Sequence, residues 1–339
     1  MKSPINRRNF LRTTTATLGA AAIAPTILGA DGELAKPADP AAESLVKQLY
    51  LSLNDEQKEA ICFDFGSKLQ SRVENNWHIT ASRIGSLLDM DQQALVRQIF
   101  TELHSEEYRD DVWRAFMEDN RTKRENTPEK AFGSASIAIF GTPDVADFEL
   151  VFTARHCTRR CDGNSVAGAA FGGPIFYGHA SQGFNEGPKH PENAYWFQAE
   201  AANGVYEMLD GKQREKALLE KARPEAGVDT VALKHGTDGL EGLAAADLSA
   251  DQKAELRKTL AALLAPFRKE DREESMKFVD PQFDDLHLAF FKEKDLGGDG
   301  VWDIWQVEGP SMIWYFRGAP HVHTWVNIEK PAAAGDAFG

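Results

Sequence analysis

WDIWQVEGPSMIWYFRGAPHVHTWVNI, residues 302–328, decides the fold class. Three runs dense in aromatic and β-branched residues, Trp302–Glu308, Ser311–Arg317 and His321–Ile328, are separated by Gly309-Pro310 and Gly318-Ala319-Pro320. Glycine and proline supply turns and interrupt strand pairing, so the pattern predicts a β meander between Leu286 and Ile328.

Upstream, Ser136–Phe140 is expected to be a strand, Gly141-Thr142-Pro143-Asp144 a turn, and Phe148 through Arg160 a further strand. Gly168 to Pro191 contains Gly172-Gly173-Pro174 and Gly178-His179 and is expected to be an irregular loop, packed through Phe171, Phe176, Tyr177 and Phe184. Helical texture covers Glu43 to Thr127, where Leu95, Ile99 and Leu103 mark one face of a run from Asp91 to Asn120. It returns over Glu192–Ala222 and Ser249–Met276. The charged stretch Glu118–Lys130 is expected to be an exposed linker. Leu53 to Gln57, Leu209 to Gln213 and Leu248 to Gln252 echo one another as similarly capped helix starts, at a spacing too irregular for a solenoid. The expected class is α+β, a helical N-terminal layer with a mixed or antiparallel sheet built from the middle and C-terminal segments. A division in two would separate the strands around His156 from those around His321, so residues 43–330 are expected to form a single domain, with 331–339 as a tail.

At the start, Asn6-Arg7-Arg8-Asn9-Phe10-Leu11-Arg12 precedes a weakly apolar stretch from Thr13 to Leu28. Paired arginines ahead of such a stretch predict a twin-arginine signal peptide over residues 1–30, followed by a disordered leader over 31–42. The expected partner is the twin-arginine export machinery and the expected location is periplasmic or otherwise extracytoplasmic. No stable membrane span is expected after signal removal. Loss of Lys2, Arg7, Arg8 and Arg12 with the signal takes the formal charge from -14 to -18. So acidic a chain is a poor partner for nucleic acid or anionic lipid, which need a basic face.

His321-Val322-His323 is the strongest chemical motif: on a strand both imidazoles leave one face about 7 Å apart, within reach of one ion. Structural histidines would give the same letters. In the stretch from Phe152 to Gly163, read as one strand, His156 shares a face with Ala154 and Thr158 while Cys157 points away. The spacing of Cys157 and Cys161 is too long for a disulfide on an extended strand, about 13 Å. His179 follows Gly178 in the expected loop. Glu308 beside its turn is a candidate general base. Arg155, Arg159 and Arg160 can receive a carboxylate or phosphate, or pair with the chain's own acids. Gly297-Gly298-Asp299-Gly300 is too short for a calcium loop and is expected to be a turn. No P-loop, dinucleotide fingerprint, G-x-S-x-G or H-E-x-x-H occurs.

Arg155-His156, the run Phe171–His179, the Leu-x-x-x-Gln helix starts, Glu308-Gly309-Pro310-Ser311, His321–Trp325 and the ending Asp336–Gly339 together resemble the family known as domain of unknown function 3500. The resemblance covers most of the chain and implies a single exported domain whose histidine-bearing segments meet. It also implies a doubled histidine where this chain has Arg155-His156, leaving His156 as the matching ligand. It carries no established activity.

The leading expectation is a metal-dependent extracytoplasmic enzyme, an oxidoreductase or hydrolase acting on a small molecule. His156, His179, His321 and His323 are its expected ligands to copper, zinc or iron, and Glu308 and Arg155 its catalytic side chains. The rival is a non-catalytic binding protein whose Trp302, Trp305, Trp314 and Trp325, with the arginines, line a pocket for an organic ligand.

Overall fold

A mixed sheet of 11 strands runs through the molecule, with the histidine segments near its middle. The computed structural model describes residues 41–121, 127–143, 145–180, 194–294 and 300–332. The signal peptide, the leader up to residue 40, Phe184, residues 297–299 of the glycine turn and the ending Asp336–Gly339 lie outside the described residues. In chain order the strands are β1 (Cys62–Phe63), β2 (Ser136–Gly141), β3 (Phe148–Ala154), β4 (Cys157–Cys161), β5 (Ile175–His179), β6 (Leu218–Leu219), β7 (Leu243–Ala244), β8 (His287–Phe291), β9 (Ile304–Gly309), β10 (Met312–Arg317) and β11 (Val322–Ile328). The fold is α+β, and the C-terminal meander lies where its punctuation placed it.

The order across the sheet is β1-β2-β3-β4-β5-β11-β10-β9-β8-β6, with β7 on β8. In each half a two-residue strand lies parallel to the first long strand, and three more long strands follow antiparallel. The halves meet where β5 and β11 pair antiparallel, so the architecture is an internal duplication about a pseudo-two-fold axis near that pair. The glutamine echo is its trace. Gln57 and Gln92 each complete a capping box and bond each other reciprocally at 2.8 and 3.0 Å. Gln213 and Gln252 repeat the arrangement in the second half at 3.0 and 2.8 Å. The fourth member, Leu88 to Gln92, was not among the echoes noted above, and the repeat is a two-fold pair rather than a linear array.

One face of the sheet carries the helices, including Met90–Glu102, Arg109–Asn120, Trp196–Glu207, Ala250–Leu264 and Lys269–Val279. Strand alternation sends Ile137, Tyr177, Trp314, Phe316 and Val322 into that layer. The intervening residues Phe176, Ile313, Tyr315 and Trp325 go to the opposite face with Val73 and Val231. That second face is covered by the irregular segments after β1 and β6, and it holds the histidines.

Three local expectations are corrected. The run from Asp91 to Asn120 is two helices, because Ser105 turns away to donate from its N–H to the Pro266 carbonyl. The strand expected from Phe148 through Arg160 is a hairpin: Ala154 pairs with Cys157, and Arg155-His156 form the turn with His156 at a left-handed φ of 52°. The expected loop around Phe176-Tyr177-Gly178-His179 is a central strand. Its glycine is explained by β11, since a Cβ at Gly178 would collide with the Val322 carbonyl.

Candidate metal centre

His323 lies opposite Gly178, on the face away from the helices, and His321 precedes it just after the Gly318–Pro320 turn. The β3–β4 turn brings His156 to the same place. Its backbone is held from both sides, its N–H donating to the Asn75 carbonyl at 2.9 Å and its carbonyl accepting from Gly178 N–H at 3.2 Å. All three histidines are buried. The Nε2 atoms of His156 and His321 each lie 3.1 Å from Nε2 of His323. Two imidazole nitrogens bound to one tetrahedral zinc would stand about 3.3 Å apart, so this spacing is that of shared coordination. These three residues form the group among the described residues able to hold a metal ion.

The rings are fixed from behind by carboxylates. His156 Nδ1 lies 3.0 Å from Asp119 Oδ1, and His323 Nδ1 lies 2.7 Å from Glu225 Oε2. A carboxylate at Nδ1 places the proton of a neutral ring there and leaves the Nε2 lone pair facing the centre. Two such lone pairs 3.1 Å apart repel unless a proton or a metal ion lies between them. Burial pushes His323 down to about 4, against the pull of Glu225, so its ring is neutral at pH 7. Burial alone would raise Glu225, but His323 and Arg317 hold it down to about 2. Arg317 donates from Nε to Glu225 Oε1 at 2.7 Å. Asp119 Oδ1 also accepts from Ala180 N–H at 3.0 Å. The centre opens onto a cavity of about 630 Å³, whose walls include Asn75, Asn76, Arg155, Arg223, Glu225, Glu293, Lys294, Tyr315 and Arg317.

The other sequence candidates are distributed differently. His179 pairs with Val322 across the β5/β11 ladder and so projects to the helix face, away from His323. Glu308 is buried on β9, four residues along from the cavity-lining Ile304, where it is bound by Arg223 Nη2 at 2.8 Å and does not line the cavity. Arg155 lines the cavity beside His156. Arg160 is buried against Glu149 at 2.8 Å, and Arg159 donates to His104 Nε2 and to the Phe176 carbonyl, so both serve the interior. Cys157 and Cys161 are free and buried. Burial pushes the Cys157 thiol up to about 11 and Cys161 well upward too, which leaves both as protonated core residues. Trp305, Trp314 and Trp325 belong to the core rather than to the cavity wall.

Sequence reasoning missed Asp119 and Glu225. Asp119 falls in the stretch expected to be an exposed linker, yet Val112, Ala115 and Phe116 are buried on the same helix, and Asp119 follows them at helical spacing. That spacing was an available signal. Glu225 lies between Pro224 and Ala226 in an irregular segment with no periodicity to mark it.

Neither a curated protein nor a solved structure matches the chain. The helix starts, the Arg155-His156 turn and the β5 and β11 strands that build this centre all fall within residues 35–330, which match the family model described as protein of unknown function (DUF3500), and the chain belongs to that family.

Proposed function

We propose that the chain is a metalloenzyme of the extracytoplasmic space, with His156, His321 and His323 as the ligands of one transition-metal ion. The supporting observation is the convergence of three imidazole Nε2 atoms, two of them on rings braced at Nδ1 by Asp119 and Glu225. Carboxylate–histidine–metal chains of this kind orient ligands and raise their basicity. Three protein ligands facing a cavity leave a coordination position for water or substrate, the arrangement of catalytic rather than structural zinc. Zinc or copper suits three imidazoles. A non-haem iron centre of the two-histidine, one-carboxylate type is disfavoured, because both carboxylates lie behind the rings. A bound ion would polarise a substrate oxygen or lower the pKa of bound water.

Two expectations are revised within this proposal. Glu308 is bound by Arg223 and does not itself line the cavity, so it is not proposed as the general base, and His179 is not proposed as a ligand. With Trp305, Trp314 and Trp325 in the core and Trp302 packed against it, the binding-protein alternative keeps its arginines but not the expected tryptophan wall at this cavity. Export rests on Arg7-Arg8 and the stretch behind them, and a route that carries folded proteins suits a chain loaded with metal before it leaves the cytoplasm.

Elemental analysis of protein purified from its native host tests the centre. One zinc or copper per chain, lost in the His321→Ala/His323→Ala double variant, is expected. A folded wild type that arrives empty and takes up neither added metal would refute it. Retention of the chain in the cytoplasm after Arg7→Lys/Arg8→Lys is the expected result for export.

A further inference from the structure

Among the described residues, the charges around the cavity cancel in pairs until one is left. Arg317 is matched by Glu225 at 2.7 Å and Lys294 by Glu293 at 3.6 Å. Arg223 is matched by Glu308 at 2.8 Å, and its other nitrogens donate to Gln306 and to the Thr230 carbonyl. Arg155 has no carboxylate partner among the described residues. Its Nη1 donates to the Asp119 carbonyl at 3.2 Å, and the rest of its guanidinium stands half-buried on the cavity wall beside His156. In a chain with 52 acidic and 38 basic residues, an arginine in a cavity is readily neutralised by a carboxylate, and none of the described carboxylates neutralises this one. Its Nη1 bond to Asp119, whose side chain braces His156, fixes the guanidinium relative to the metal ligands.

We infer that the molecule bound at the histidine centre carries an oxyanionic group, carboxylate or phosphate, received by Arg155 while another of its atoms faces the three imidazoles. A guanidinium fork matches two oxygens of such a group with parallel charge-assisted hydrogen bonds. The Asn75 and Asn76 segment on the adjoining wall supplies further polar surface. A cationic substrate is disfavoured, because it would meet Arg155 and the metal together. This assignment rests on the metal-centre proposal for the position of the reacting end, but Arg155 and the cavity stand without it.

Calorimetric titration of the full-length purified protein separates the two. The titrants are inorganic phosphate, succinate and glucose, with metal content measured on the same samples. Saturable binding of phosphate or of succinate is expected, with none of glucose, and the anion that binds identifies the group. Arg155→Gln is expected to weaken that binding at least about tenfold with metal content unchanged, and Arg155→Lys to weaken it less, since charge survives but the fork does not. Metal-loaded wild type that binds neither anion overturns the inference while the metal centre survives. Equal anion binding by folded Arg155→Gln overturns it too, because the anion then rests on the metal alone. Protein that arrives without metal, takes up neither added zinc nor added copper, and still binds the anion through Arg155 upholds the inference and refutes the metal centre.

Discussion

Replacing Glu225 by Gln tests whether the carboxylates behind the histidines tune a metal site or merely fill space. Glu225 accepts at 2.7 Å from both His323 Nδ1 and Arg317 Nε. Glutamine keeps the shape and one acceptor but removes the charge that holds the His323 proton on Nδ1 and makes Nε2 a stronger donor to an ion. It also leaves the Arg317 guanidinium unneutralised at the cavity. Loss of such an outer partner costs about 10–100-fold in metal affinity. That corresponds to about 1.4–2.8 kcal/mol. The assay is competition for zinc against a chromophoric chelator at pH 7.5, with circular dichroism confirming the fold. Glu308→Gln is the control: its carboxylate neutralises Arg223 on the cavity wall but bonds none of the three histidines, so it is expected to lower thermal stability and leave zinc affinity within about twofold. Equal losses for the two variants, or wild-type affinity in folded Glu225→Gln, would refute the reasoning.

Two further predictions concern the scaffold. Gln92→Ala removes bonds to Asp89 N–H, the Ser52 carbonyl and Gln57 in a largely buried setting, and is expected to cost about 2–4 kcal/mol by chemical denaturation. Gln252→Ala, whose partner Gln213 is more exposed, is expected to cost about half as much; equal or reversed losses would contradict the burial argument. Asp271 is raised from 3.8 to about 7 by burial, only partly countered by Arg268, which it shares with Glu43. A carboxyl raised on folding binds more protons in the native state, so its contribution is complete below about pH 4 and declines as pH rises to 7. The melting temperature of wild type relative to Asp271→Asn should therefore fall across that range, and a constant difference would count against a buried, shifted Asp271.

What could be read along the chain was local. The meander from Ile304 to Ile328 was legible because glycine and proline mark its turns and alternation marks its faces. Helix starts were legible because a capping box spans four residues. The pairing of His321 with His323 followed from strand period. The β5 strand was hidden by Gly178, which weakens strand propensity in isolation and is required only because the Val322 carbonyl comes so close. The hairpin at Arg155-His156 was hidden because neither residue is a usual turn former, and the left-handed His156 is held by hydrogen bonds to Asn75 and Gly178, far away in sequence.

Local sequence is enough for the α+β class, the capped helices, the C-terminal meander and two histidines on one face, since each depends on neighbours a few residues apart. Tertiary structure alone decided that His156 joins them, that Asp119 and Glu225 stand behind the rings, that His179 and Glu308 are placed elsewhere, and that the chain is two related halves joined at β5 and β11. Those outcomes depend on contacts between residues roughly 40 to 170 positions apart. Such contacts leave no period in the chain, because the packing that enforces them exists only once the sheet has closed.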